Sequence, residues 1–210
     1  MKKIKLIIIS ILFSNLIFFN LHSQISNTIV VKVGESLITS VDIQNEIITN
    51  LIINKQNITQ ENINNNKNYA IKNLISKSIK KSETNRFKVE TYNKKDLNKY
   101  IVNIAKQFDT DSSGLKEIFK QSDIDYEAFV EKHRTELLWN TLIFKIYQNQ
   151  TNINIVEVDN EIEKIKENKN EEELKIIRKN ILNQKKQEKL NLFSRSHFSN
   201  LENTVIIDFQ

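Results

Sequence analysis

Asp109-Thr-Asp-Ser-Ser-Gly114 sets oxygen-bearing side chains and a glycine in the order of a calcium loop. Such a loop closes with a bidentate glutamate at its twelfth position. Here that position is Lys120, whose ammonium would repel the metal, so the stretch reads as a polar turn that caps a helix. The histidines, His22, His133 and His197, are widely separated, and no serine–histidine–acid order follows from their spacing. His22 falls in a leader segment, and His133 and His197 read as surface or boundary residues. The chain has no Cys, which excludes thiolate zinc, a cysteine nucleophile and any disulfide. Gly34 and Gly114 are its only glycines, too few for a phosphate-cradling loop. The Asp and Glu residues fit helix faces and caps better than a paired catalytic site. Trp139 and the phenylalanines on helical faces read as core. The expectation is therefore no catalytic residue, no cofactor, no metal and no enzymatic activity.

The elements that carry these residues are mostly helices. Ile29–Val33 and Leu37–Thr39 are short and apolar, separated by Gly34 at a turn, and predict a hairpin. Thr39 or Ser40 then caps a helix with Asp42 near its positive end. Ile43, Ile47, Ile48, Leu51 and Ile52 line one face of that helix. Residues 54–68 are rich in asparagine and weakly patterned, and read as a loop with at most a turn of helix.

Ala70, Ile71, Leu74, Ile75 and Ile79 predict a second helix, ended by Phe87 and Val89 folding back on the core. A third begins near Lys94 and buries Leu97, Ile101, Ile104, Ala105 and Phe108; a short one carries Leu115, Ile118 and Phe119. Asp125 caps a long helix holding Phe129, Leu137, Leu138, Leu142, Ile143 and Ile146. Residues 157–167 predict a short helix, and residues 171–200 a highly charged one with a solvated polar face. Residues 204–209 read as a strand, which must pair with the hairpin because a lone strand leaves its backbone unsatisfied.

The amino terminus has the build of a secretory signal: basic Lys2, Lys3 and Lys5, the apolar run Leu6–Phe19, then a polar stretch. Fourteen helical residues rise about 21 Å, short of a hydrocarbon core of roughly 30 Å. Residues 1–23 are thus expected to be a cleaved signal and residues 24–210 a single exported domain; an uncleaved membrane tether is the alternative. The formal charge of +5 includes those three lysines, and without them it is +2, too balanced to argue for nucleic acid.

Several of these stretches resemble the amino-terminal domain of the SurA family of periplasmic chaperones. Ile29–Ser40 is similar to its opening hairpin and capped helix. Ala70-Ile-Lys-Asn-Leu-Ile75 resembles a second family helix, Ile104–Gln107 a third, and Asp125–Phe129 with Arg134–Leu138 the long one. The charged carboxy-terminal helix and Val205–Phe209 look like the returning helix and strand of the family's core. Ser76, Lys77 and Lys88 depart from the pattern. Many relatives insert parvulin isomerase domains before the returning helix, where this chain has only Asn168-Lys-Asn170. Prolyl rotation faces a barrier of about 20 kcal/mol and needs a pocket around the ring, for which this sequence offers no candidate.

The fold expected is mainly α, a SurA-like helical body with a small sheet built from the hairpin and the last strand. The resemblance implies a periplasmic chaperone that holds unfolded outer-membrane β-barrel polypeptides or aromatic-rich peptides in an apolar groove, without ATP. It leaves the outer-membrane assembly machinery open as a second partner and does not say which residues bind the client. Three other classes stand beside it: a membrane-tethered partner-binding protein, an isomerase relative with residual activity, and a purely structural helical protein.

Overall fold

The computed structural model describes residues 27–167 and 169–210, so the expected signal segment lies outside the described residues. Strands β1 (Ile29–Val33) and β2 (Ser36–Thr39) form the hairpin. Helices α1 (Ser40–Ile53), α2 (Gln60–Arg86), α3 (Lys94–Gln107), α4 (Ser112–Gln121), α5 (Tyr126–Tyr147), α6 (Ile155–Glu163) and α7 (Glu171–Glu202) follow, then strand β3 (Ile207–Phe209). The sheet is antiparallel with order β2-β1-β3, so the two ends of the described chain meet at β1.

Each junction has a local cause. Gly34 turns the hairpin at φ +55, where a side chain would be strained, and its N–H donates to Ile206 O at 2.9 Å. Thr39 accepts from the Asp42 N–H while the Asp42 carboxylate accepts from the Thr39 N–H at 2.8 Å, a reciprocal cap at the start of α1. Asp111 and Asp125 cap α4 and α5 in turn.

The register puts Val31 opposite Ile38 and Phe209, and Val33 opposite Ile207. Val31, Val33 and Ile38 therefore share the inner face and pack on Ile43, Ile47 and Leu51 of α1 and Ala70, Ile75 and Ile79 of α2. A second cluster joins Ile48 to Leu97, Ile104, Leu115, Phe119, Phe129 and neighbours. A third forms around Trp139, Leu142, Ile143 and Val89. Phe198 and Leu201, near the end of α7, pack against both the first and the third, so the returning helix fastens two cores together.

Four sequence expectations are corrected. The asparagine-rich stretch is helical from Gln60 onward, because Thr59 caps it and Ile63 supplies an apolar contact to two clusters. Its polar side chains bond along the helix, with Asn66 donating to Asn62 O at 2.8 Å. Val89 folds back into the core as expected, but Phe87 stays 45% exposed, with the Arg86 guanidinium 4.5 Å from its ring centre. The short helix expected over 157–167 spans Ile155–Glu163, since Asn154 caps it two residues earlier. The last strand is also shorter, because residues 204–205 bond back to the end of α7.

Leu115 is fully buried in the second cluster, on the ten-residue helix α4. Leu115→Ala is expected to destabilise the fold by about 3 kcal/mol, read as a lower urea midpoint with an unchanged slope.

Candidate functional site

The residues singled out for chemistry are dispersed by the fold. Asp109 sits at φ 53 in a tight turn, and Asp111 accepts the Gly114 N–H at 2.9 Å. A Cβ at Gly114 would lie 1.8 Å from Thr110 Oγ1, so any side chain there would force Thr110 to move. Among the described residues, no group of three or more His, Asp or Glu side chains gathers as a metal site. Trp139 is core, at 2% exposure, and its indole N–H donates to Ser194 Oγ at 2.8 Å. His133 stacks on Tyr100 at 3.6 Å between ring centres. Burial lowers its pKa, against the opposing charges of Glu136 and Asp96.

His197 has a larger structural part than its boundary position suggested. One ring nitrogen lies 2.9 Å from Tyr147 Oη and the other 2.9 Å from Glu83 Oε1. Glu83 is buried at 4% exposure and also accepts two bonds from Arg86, at 2.6 and 2.7 Å. The Arg86 bonds hold its carboxyl below the usual range; burial opposes them, and the His197 contact adds to them. This knot ties α2, α5 and α7 together.

A second buried carboxylate, Glu46, accepts from Lys132, from Asn73 at 2.9 Å and from Asn50 at 3.1 Å, joining α1, α2 and α5. Lys80 also bonds both oxygens of Glu136 at 2.7 Å. Sequence spacing could not reveal the Glu46 and Glu83 knots, because their partners lie up to 114 residues away.

Two kinds of open surface remain. The first flanks α7, none of whose side chains is fully buried. A cleft of about 200 Å³ between α5 and α7 is lined by Ile143, Phe144 and Leu190 among polar residues. Another of about 260 Å³ between α6 and α7 contains Ile153 and Leu192. Phe144 is 51%, Leu192 63% and Val156 65% exposed, so greasy side chains reach solvent on three elements around this arm. Ion pairs Arg178–Asp159 and Lys185–Glu161, each 2.7 Å, brace α6 on α7.

The second is a furrow across α1. Its widest part, about 900 Å³, runs between α1, α4 and the start of α5. Asn45 and Asp125 continue it into a narrow part of about 70 Å³. Asp42, Leu74 and Lys77 carry it on to a cleft of about 320 Å³ under β2. An apolar groove was expected between the helices; the wide part of this furrow mixes charged rims with Val41, Ile124 and Tyr126 as apolar patches.

No protein-family model matches the sequence, and no curated protein does. Among solved structures, a chain from Campylobacter jejuni is similar to this one. It comes from a description of the virulence factor PEB4 and the periplasmic protein Cj1289 as two structurally related SurA-like chaperones. The identity is 15%, the TM-score 0.43, and the match covers 88% of this chain and 99% of that one.

Because the Glu83 carboxyl is held below its ordinary value, the stability it adds is complete above pH about 4.5 and is lost as pH falls through the lower folded value. Glu83→Gln is expected to lower stability at neutral pH and to flatten the acid limb of a stability–pH curve. Denaturant titrations from pH 3 to 7 check this.

Proposed function

We propose that this chain is a holding chaperone that binds unfolded polypeptides without ATP and without chemistry. Residues 1–23 would direct its export to the periplasm and residues 24–210 would form the working domain. The observation that carries this reading is the arm around α7. A thirty-two-residue helix with no fully buried side chain is flanked by exposed Phe144, Val156 and Leu192. An apolar surface spread over several small clefts suits clients of variable sequence, since each contact is weak and none demands a fixed partner. Unfolded outer-membrane β-barrel polypeptides are the proposed clients, because their alternating apolar and aromatic residues offer side chains of the right size to shallow clefts.

The connection between α6 and α7, residues 164–170, is too short to hold an inserted domain. The reading accordingly includes no isomerase activity, and a proline-peptide assay should show no faster cis–trans conversion with the protein present.

Light scattering of an unfolded β-barrel protein diluted from urea tests the main reading. Stoichiometric chaperone is expected to suppress aggregation, and the double variant Phe144→Glu with Leu192→Glu to lose most of that suppression with an unchanged far-UV spectrum. No suppression by the wild-type chain at molar excess would overturn the proposal. Amino-terminal sequencing of the exported protein should begin at Gln24.

A further inference from the structure

The furrow across α1 ends at one of the sheet's two outer edges, that of β2. In the order β2-β1-β3, β2 is an outer strand, and Ser36, Leu37 and Ile38 line the cleft of about 320 Å³. Antiparallel pairs alternate between bonded and non-bonded registers. Val33 and Ser36 flank the two-residue turn as the bonded pair, so Lys32 and Leu37 form the next, non-bonded pair. The N–H and C=O of Leu37 thus point away from β1 toward the open edge, and the residue is 52% exposed. The Thr39 N–H is already taken by Asp42. Leu37 is the place on β2, beside the cleft, where a further strand could bond.

The charge beside this edge is uneven. Lys77 reaches the same cleft from α2, and among the described residues it has no ion-pair partner. The carboxylates around it are engaged elsewhere: Glu46 with Lys132, Glu131 with Lys81 and Arg134, and Asp42 with the α1 cap. Burial first, and then the charge of Lys81, pull the Lys77 ammonium below the ordinary lysine range, against Glu131, Glu46 and Asp42. An incoming carboxylate would stabilise that cation.

We propose that β2 is a docking edge for an extended polypeptide segment bearing a carboxylate, which adds as a fourth strand at Leu37 and seats its carboxylate against Lys77. Backbone bonds supply affinity independent of sequence, and the cation sets the register. The occupant is an extended segment because the accessible partner is a strand edge, and an acidic one because the unpaired group beside it is positive. The carboxylate has two sources, an acidic side chain or the chain's own carboxy terminus. The proposal deepens the chaperone reading and rests on it for the nature of the client.

The test is fluorescence anisotropy with the full chain and a fluorescein-labelled peptide of alternating tyrosine and threonine carrying one glutamate. Lys77→Met should weaken binding about tenfold, the scale of one charge-assisted contact, and Lys77→Arg should restore it. Leu37→Pro removes the outward N–H without removing a β1–β2 bond, and backbone N-methylation of the peptide removes its donors; each should weaken binding by a similar factor. If Leu37→Pro impairs folding, the Lys77 variants and the methylated peptide still decide. A glutamine peptide with a free carboxy terminus, compared with its amide, assigns the carboxylate's source. Equal affinity across the wild type, the Lys77 variants and the methylated peptide would overturn the docking edge, as would no binding by the wild type. Aggregation suppression with no dependence on Lys77 or Leu37 would overturn this inference and leave the chaperone reading standing. Lys77-dependent peptide binding without aggregation suppression would support the edge and sink that reading.

Discussion

A strand whose side chains are buried must still satisfy its backbone on both edges, because an unpaired buried N–H or C=O costs as much as a lost hydrogen bond. β1 is such a strand: Val31 and Val33 are buried, and its neighbours are β2 on one edge and β3 on the other. The hairpin meets half of the requirement locally. The other half is met by residues 207–209, at the far end of the chain. That long-range closure brings the end of α7 over the body, and with it Phe198 and Leu201, which two of the three hydrophobic clusters share.

Two buried carboxylates then fix how the helices pack. Glu46 and Glu83 each sit under 8% exposure, and each has partners on its own helix and on at least one other. Burying a carboxylate is costly unless the charge is paired and its lone pairs are occupied. Apolar faces on α1, α2 and α5 could slide against one another with little change in buried area. A buried carboxylate cannot slide without losing its partners, so these knots select one helix register from several of similar apolar burial.

The same economy explains where the surface is left open. The apolar residues nearer the amino-terminal end of α7 have the short α6 beside them and remain half-covered, while its carboxy-terminal part is held by Trp139 on Ser194 and by Glu83 and Tyr147 on His197. The furrow across α1 arises similarly: the hairpin packs on Ile43, Ile47 and Leu51, α4 joins the cluster around Ile48, and the side of α1 carrying Val41, Asp42 and Asn45 is left bounded by charged rims. Open surface thus lies where the closing contacts run out. It is shallow, divided and mixed in polarity.

Local chemistry is what sequence reports well. The hairpin was legible from Gly34 between two short apolar runs, the caps from Thr39 or Ser40, the polar turn 109–114 and Asp125, and the core faces from apolar residues spaced by a helical turn. The closing strand was legible too, because a lone apolar segment at the end of the chain had one place to pair. Residues 60–68 were misread because asparagine is a poor helix former on its own, and their helix depends on Thr59 and on where Ile63 packs. Tertiary structure alone decided the Glu46 and Glu83 knots, the unpaired state of Lys77 and the furrow that ends at Leu37. Spacing along a chain tells which residues share a face; it carries no information on which distant face comes to meet it, and both buried charge and open clefts are properties of that meeting.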